Sequence, residues 1–129
     1  NGLLAIYYGK PYEKATEHAD SKLYKAFKHE GIAGLKKTYQ QMVSDDNTPR
    51  ERSLNYFGYE LMQMGELDAA ITVFELNNQS YPESANSFDS LGEAYLAAGD
   101  KQKALASYKS ALKLNPDSES AKQAIEKLQ

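Results

Sequence analysis

Ser110 and Lys113 stand three residues apart in Ser110-Ala111-Leu112-Lys113, the spacing at which a lysine helps to activate a nucleophilic serine. That chemistry also needs a Ser-Asp-Asn or Lys-Thr-Gly element to complete the site, and the chain contains neither. Ala111 and Leu112 are accounted for as packing residues near the end of a helix, so the motif reads as structural and the chain as non-catalytic. His18 and His29 lie eleven residues apart and share no helix face at metal-ligand spacing; they read as surface histidines. Asp45-Asp46-Asn47 has the composition of a calcium loop but lacks the glycine and the distal bidentate glutamate such a loop needs, so it reads as a turn. Asn78-Gln79-Ser80 is a formal glycosylation sequon placed on a helix. The absence of cysteine excludes disulfides and thiolate metal sites, and no metal or cofactor is expected.

Recognition chemistry is what remains. Asp89 and Glu93 are one helical turn apart, and Tyr56 and Tyr59 occupy the preceding stretch of helical pattern. With Arg52, Asn55 and Gln63 on one segment and Asn86, Ser90 and Ala97 on the other, these residues lie on helix sides that the apolar stripes leave free. Carboxylates beside aromatic rings suit a lysine- or arginine-bearing extended segment, through charge-assisted hydrogen bonds and cation–π contact. Two sources of such a segment are a partner protein and the chain's own Lys10-to-Lys14 stretch. The net charge of −3 conceals an asymmetry: residues 38–100 hold no lysine and only Arg50 and Arg52 against eleven carboxylates, a formal −9. That balance argues against nucleic acid, whose phosphates bind clustered lysine and arginine.

Those side chains must be positioned by helices, and the chain shows how. Gly58 and Gly92, Gly65 and Gly99, Ala70 and Ala104, Phe74 and Tyr108, and Pro82 and Pro116 are pairs separated by the same 34 residues. A repeat of that length, with small residues where helices cross and proline at its end, is a helical hairpin that buries its apolar face by stacking on neighbours. Leu54, Phe57, Leu61 and Met64 form the first apolar stripe, Gly65-Glu66 breaks it, and a second helix from about Leu67 to Ser80 turns Ala70, Ile71, Phe74 and Asn77 inward. The next unit repeats the plan with Phe88, Leu91 and Tyr95, then Ala104, Leu105, Tyr108, Ala111 and Leu112. Ser84 and Ser118 have the chemistry of N-caps. Residues 119–129 read as a capping helix with Ala121, Ala124, Ile125 and Leu128 on its inner side. Upstream, Leu23, Ala26 and Phe27 precede Gly31, and Ile32, Leu35, Tyr39 and Met42 follow it; residues 17–50 read as a degenerate hairpin, with Thr48 or Pro49 opening the next helix. Residues 1–16 read as an extended tail despite the strand-like composition of Leu3 to Tyr8, because a lone strand finds no pairing partner in a helical solenoid. The opening at Asn1-Gly2-Leu3-Leu4, in mid-pattern and without a leader, reads as a piece of a longer protein. The fold expected is all-α, an alpha-solenoid of repeats 51–84 and 85–118 with caps at both ends. No apolar run reaches the roughly 20 residues of a membrane span.

Phe88, Leu91-Gly92, Tyr95, Ala104, Tyr108, Ala111 and Pro116, and more loosely Leu54, Phe57-Gly58, Leu61, Ala70, Phe74 and Pro82, resemble the tetratricopeptide repeat. The resemblance implies that the first helices of stacked units line a concave groove, formed here by Arg52, Asn55, Tyr56, Tyr59, Gln63, Asn86, Asp89, Ser90 and Glu93. It implies a protein- or peptide-binding module. Chaperone-binding members clamp a terminal carboxylate with lysines and asparagines, and Tyr59, Asp89, Ser90 and Glu93 stand here instead, which disfavours acidic chaperone tails. A narrower string, Phe74-Glu75-Leu76-Asn77, Tyr81-Pro82, Ser84-Ala85-Asn86 and Asp89 to Tyr95, resembles the tail that follows the catalytic domain in bacterial serine hydrolases of the beta-lactamase and penicillin-binding-protein type. Ala5-Ile6-Tyr7-Tyr8-Gly9-Lys10-Pro11-Tyr12 resembles the exit from such a domain. What this implies is a non-catalytic appendage in a periplasmic or envelope-associated enzyme. The alternative is a structural module that packs on its own catalytic domain or mediates self-association, its groove filled by residues 1–16 or a neighbour's tail.

Overall fold

The computed structural model describes residues 19–129; the expected tail, with Leu3 to Tyr8 and Lys10 to Lys14, and His18 lie outside them. The chain divides into two compact units, the first ending at Gln41 and the second running from Met42 to Gln129. Across the first lies most of α1, Ala19–Ser44, a helical run broken at Gly31, whose φ of 71° and ψ of −159° only glycine adopts readily. Residues 19–44 therefore form two helical stretches meeting at one residue. Leu23, Leu35 and Tyr39 are buried, as their spacing predicts. A Cβ on Gly34 would lie 2.8 Å from the Ala26 carbonyl oxygen, so the two stretches come close beside the break.

The second unit contains α2 (Glu51–Gln63), α3 (Leu67–Ser80), α4 (Ala85–Ala97), α5 (Lys101–Leu114) and α6 (Glu119–Leu128). The starts of α2, α4 and α6 are spaced by the repeat length, as are those of α3 and α5. Each helix packs on the next in order, and α2 also meets α4. Two turns are built alike. After α2 the Gly65 N–H reaches the Met62 carbonyl and the Glu66 N–H the Leu61 carbonyl; after α4 Gly99 and Asp100 do the same to Leu96 and Tyr95. This paired closure needs a left-handed residue, and Gly65 and Gly99 supply it at φ 83° and 82°. Ser84 and Ser118 cap α4 and α6 as their chemistry predicts, accepting from the Ser87 and Ala121 N–H groups. The helix after Pro49 starts later than expected, at Glu51 with Arg50 as its N-cap residue.

Close crossing explains the small residues. A Cβ on Gly58 would lie 2.4 Å from the Phe74 ring, and one on Gly92 2.8 Å from the Tyr108 ring, so each aromatic fills a notch that glycine leaves open. Ala70 and Ala104 are fully buried at the same crossings. The stripes are wider than periodicity suggests on α3, where Ala69, Thr72, Val73 and Leu76 are buried and Ile71 is half-buried, because α3 is gripped by α2 on one side and α4 on the other. Met64 is 53% exposed: it lies past the helix end and leaves the apolar stripe. Phe88, Tyr95, Leu105, Leu112, Ala124, Ile125 and Leu128 are half-buried, while Leu91, Ala94 and Ala121 are buried.

Asn77 is fully buried, as its inward position predicts, and its side-chain amide bonds outside its own helix. It donates to the Glu51 carbonyl oxygen at 3.2 Å. The Tyr81 hydroxyl likewise donates to the carbonyl of buried Pro49 at 2.6 Å, and the Ser84 hydroxyl donates to the Glu51 carboxylate. Three residues at the end of the first repeat therefore fasten the beginning of the same repeat. Ala111 and Asn115 stand at the corresponding places in the second, where this fastening has no counterpart.

Candidate functional site

The residues singled out for binding lie on α2 and α4, which meet, and the structure brings Tyr59 of α2 to Ser90 and Glu93 of α4. Arg52, Gln63, Asn86, Glu93 and Ala97 are exposed, Asn55, Tyr59 and Asp89 are half-buried, and Tyr56 is 63% exposed. Ser90 departs from expectation. It is 2% exposed, turned toward α2 instead of solvent, so it belongs to the joint between helices and not to the presented surface.

Tyr59 is the centre of that joint. Its hydroxyl oxygen lies 2.8 Å from Glu93 Oε2 and 3.0 Å from Ser90 Oγ; the carboxylate can only accept, so the phenol proton goes to it. The Tyr59 ring meets Phe74 edge-on, with centroids 5.1 Å apart, a favourable aromatic geometry. Burial raises the Tyr59 phenol well above its ordinary range; the Ser90 bond opposes this and the Glu93 bond adds to it. Tyr108, beneath the same face, is pushed up to about 12, by burial first and then by the Glu93 and Asp89 charges.

Asp89 makes the next joint. Its Oδ2 accepts from the Ser120 hydroxyl of α6 at 2.7 Å, while its Oδ1 is buried without a hydrogen-bond partner. Asn55, one repeat earlier at the corresponding position, also has a buried, unpartnered Oδ1. Ser120 escaped the sequence reading, although the repeat spacing aligns it with Asn86 and could have flagged it. The other motifs are placed without surprise: Ser110 and Lys113 lie in the last two turns of α5, His29 is exposed, Asp46 sits in a turn at φ 58°, and Asn78 of the sequon accepts from the Ser87 hydroxyl. Among the described residues there is no cluster of three metal-ligating side chains and no helix long and apolar enough to cross a membrane.

Residues 85–118 match the family model of the tetratricopeptide repeat. The first TPR of Spaghetti (RPAP3), solved bound to the HSP90 peptide SRMEEVD, superposes with a TM-score of 0.59 at 17% identity, covering 84% of this chain and 86% of that one. The fold is a tetratricopeptide-repeat solenoid. A curated relative, the Protein CTR9 homolog of Arabidopsis thaliana, is 34% identical over 73 residues, which is 55% of this chain and 7% of that protein. The chain therefore corresponds to a small part of that relative's length.

Proposed function

We propose that this tetratricopeptide-repeat domain is a non-catalytic module that binds a basic extended segment of a partner protein on the α2–α4 face. The observation that carries the reading is the placement of Asp89 and Glu93 near Tyr59, with Tyr56 exposed three residues earlier on the same helix, within a stretch that has no lysine. The structural neighbour was solved with an acidic peptide; at this face the same peptide would meet two carboxylates, so its specificity does not carry over. The test is titration of basic and acidic peptides against the chain by fluorescence anisotropy. Basic peptides should bind better and weaken with salt, and the double change Asp89→Asn, Glu93→Gln should cost about 1–3 kcal/mol. Acidic peptides binding better, or indifference to both charges, would overturn it.

The second reading, a structural or self-associating module, draws support from the bonds of Tyr59 to Ser90 and Glu93 and of Asp89 to Ser120, which tie successive first helices together. If residues 1–16 fill the face, Lys10→Gln with Lys14→Gln should open it to added basic peptide. The string Phe74 to Tyr95 supports placing the module as the appendage of an exported bacterial serine hydrolase; the full-length gene tests that.

A further inference from the structure

We propose that Gly31 is a hinge through which two copies of this chain exchange helical stretches: α1 straightens, and residues 19–30 of each copy pack on the stretch after the break in the other. The exchange uses no residue of the α2–α4 face, so dimer formation and peptide binding are separately measurable.

A single residue separates the two stretches of α1. Gly31 stands at φ 71° and ψ −159°, a region essentially reserved for glycine, and helix continues immediately on both sides of it. In a continuous helix Ala26 and Gly34 would be about 12 Å apart along the axis. Here a Cβ on Gly34 would lie 2.8 Å from the Ala26 carbonyl oxygen, so the chain turns back sharply enough to bring the stretches into contact. The other hairpins are looser. Residues 64–66 join α2 to α3, and residues 98–100 join α4 to α5. A connection as short as that of α1 favours exchange, because the constraint of closing it within one chain disappears when the turn opens.

No side chain is wedged into the turn, since nothing lies within 4 Å of where a Cβ on Gly31 would stand. The surfaces on either side of it are a different matter. Leu23 before the break and Leu35 after it are both fully buried, and Ala26 and Gly34 meet between them. A chain that opened alone would expose that surface to water. A second opened copy carries the same surface and restores the contact twice, with Ala26 of each copy against Gly34 of the other around a two-fold axis beside residue 30.

Gly31→Ala isolates the hinge, because alanine has room there but avoids that backbone conformation and prefers helix. Light scattering after gel filtration should show this variant as a dimer with its helical spectrum kept, its dissociation constant at least about tenfold below that of the unaltered chain. Inserting Gly-Ser-Gly-Asn after residue 31 of the same variant lets the chain turn within itself and should restore the monomer. The chain has no cysteine of its own, so spin labels on Lys22→Cys and Lys37→Cys, both at exposed positions, can be read in one chain diluted with unlabelled chain. Straight helix sets them about 22 Å apart along the axis, and the insertion should shorten that distance. A folded, monomeric Gly31→Ala, a dimer that survives the insertion, or equal label distances in the two variants overturns the exchange. Loss of helix in Gly31→Ala overturns it too, because a straight α1 accommodates alanine.

Discussion

Asn77 shows how one side chain departs from a repeat for a reason the repeat does not contain. Its counterpart Ala111 is buried at the same crossing, so packing alone asks only for a small residue. The amide adds one bond, to the Glu51 carbonyl, and leaves its Oδ1 without a partner. Asn77→Ala loses that bond but also removes the unpaired oxygen, so the expected cost is modest, about 0.5–1.5 kcal/mol. Asn77→Asp replaces the donor with a charge facing a carbonyl and should cost about 3 kcal/mol or more. Denaturant midpoints of the two variants decide it: an aspartate no worse than alanine would mean the side chain is not held against Glu51.

At the scale of elements, short-range chemistry fixes where helices end and longer-range contacts fix how they join. Ser84 and Ser118 are equivalent caps, each accepting from the N–H three residues on. Ser84 also donates to the Glu51 carboxylate, and thereby connects α4 to the start of α2. Ser118→Ala should therefore cost about 1 kcal/mol as a lost cap, and Ser84→Ala should cost more, since it leaves Glu51 short of a donor. Equal costs in parallel urea titrations would show that the Ser84–Glu51 contact contributes nothing. The register of α6 is that of a further first helix, yet Glu126 stands where Gly58 and Gly92 form notches for Phe74 and Tyr108. α6 therefore carries no such notch.

Across the whole molecule the buried phenols couple stability to alkaline pH. Tyr108 is raised from 10.0 to about 12, and Tyr59 and Tyr95 are raised further, each chiefly by burial, with Tyr95 also donating to Glu75 at 2.6 Å. A raised acid holds its proton longer in the folded state than in the unfolded one. Above pH 10 the unfolded chain therefore binds fewer protons, and stability falls as pH rises. For Tyr108 the loss runs from about pH 10 to about pH 12; below pH 10 its contribution is fully present. Thermal melts at stepped pH should show the midpoint flat to pH 10 and dropping beyond it, and Tyr108→Phe should shallow that drop. A midpoint that rises above pH 10 would contradict the burial of these hydroxyls.

The glycine turns and serine caps, the 34-residue period and the packing notches were determined by the sequence itself, because each rests on a local requirement. A left-handed turn asks for Gly65 and Gly99, a close crossing asks for Gly58 and Gly92, and a cap asks for Ser84 and Ser118. The helical period also placed Tyr59, Asp89, Ser90 and Glu93 on one side of their helices. It could not say what faces them. Whether a polar residue on that side meets a ligand or the next helix depends on the separation of units far apart in the chain, and only the tertiary structure decided that Ser90 is buried against Tyr59 and that Ser120 reaches Asp89. The partner of Asn77 was hidden for the same reason. A hydrogen bond that spans a repeat is set by how two helices stack, and no periodicity within either helix encodes it.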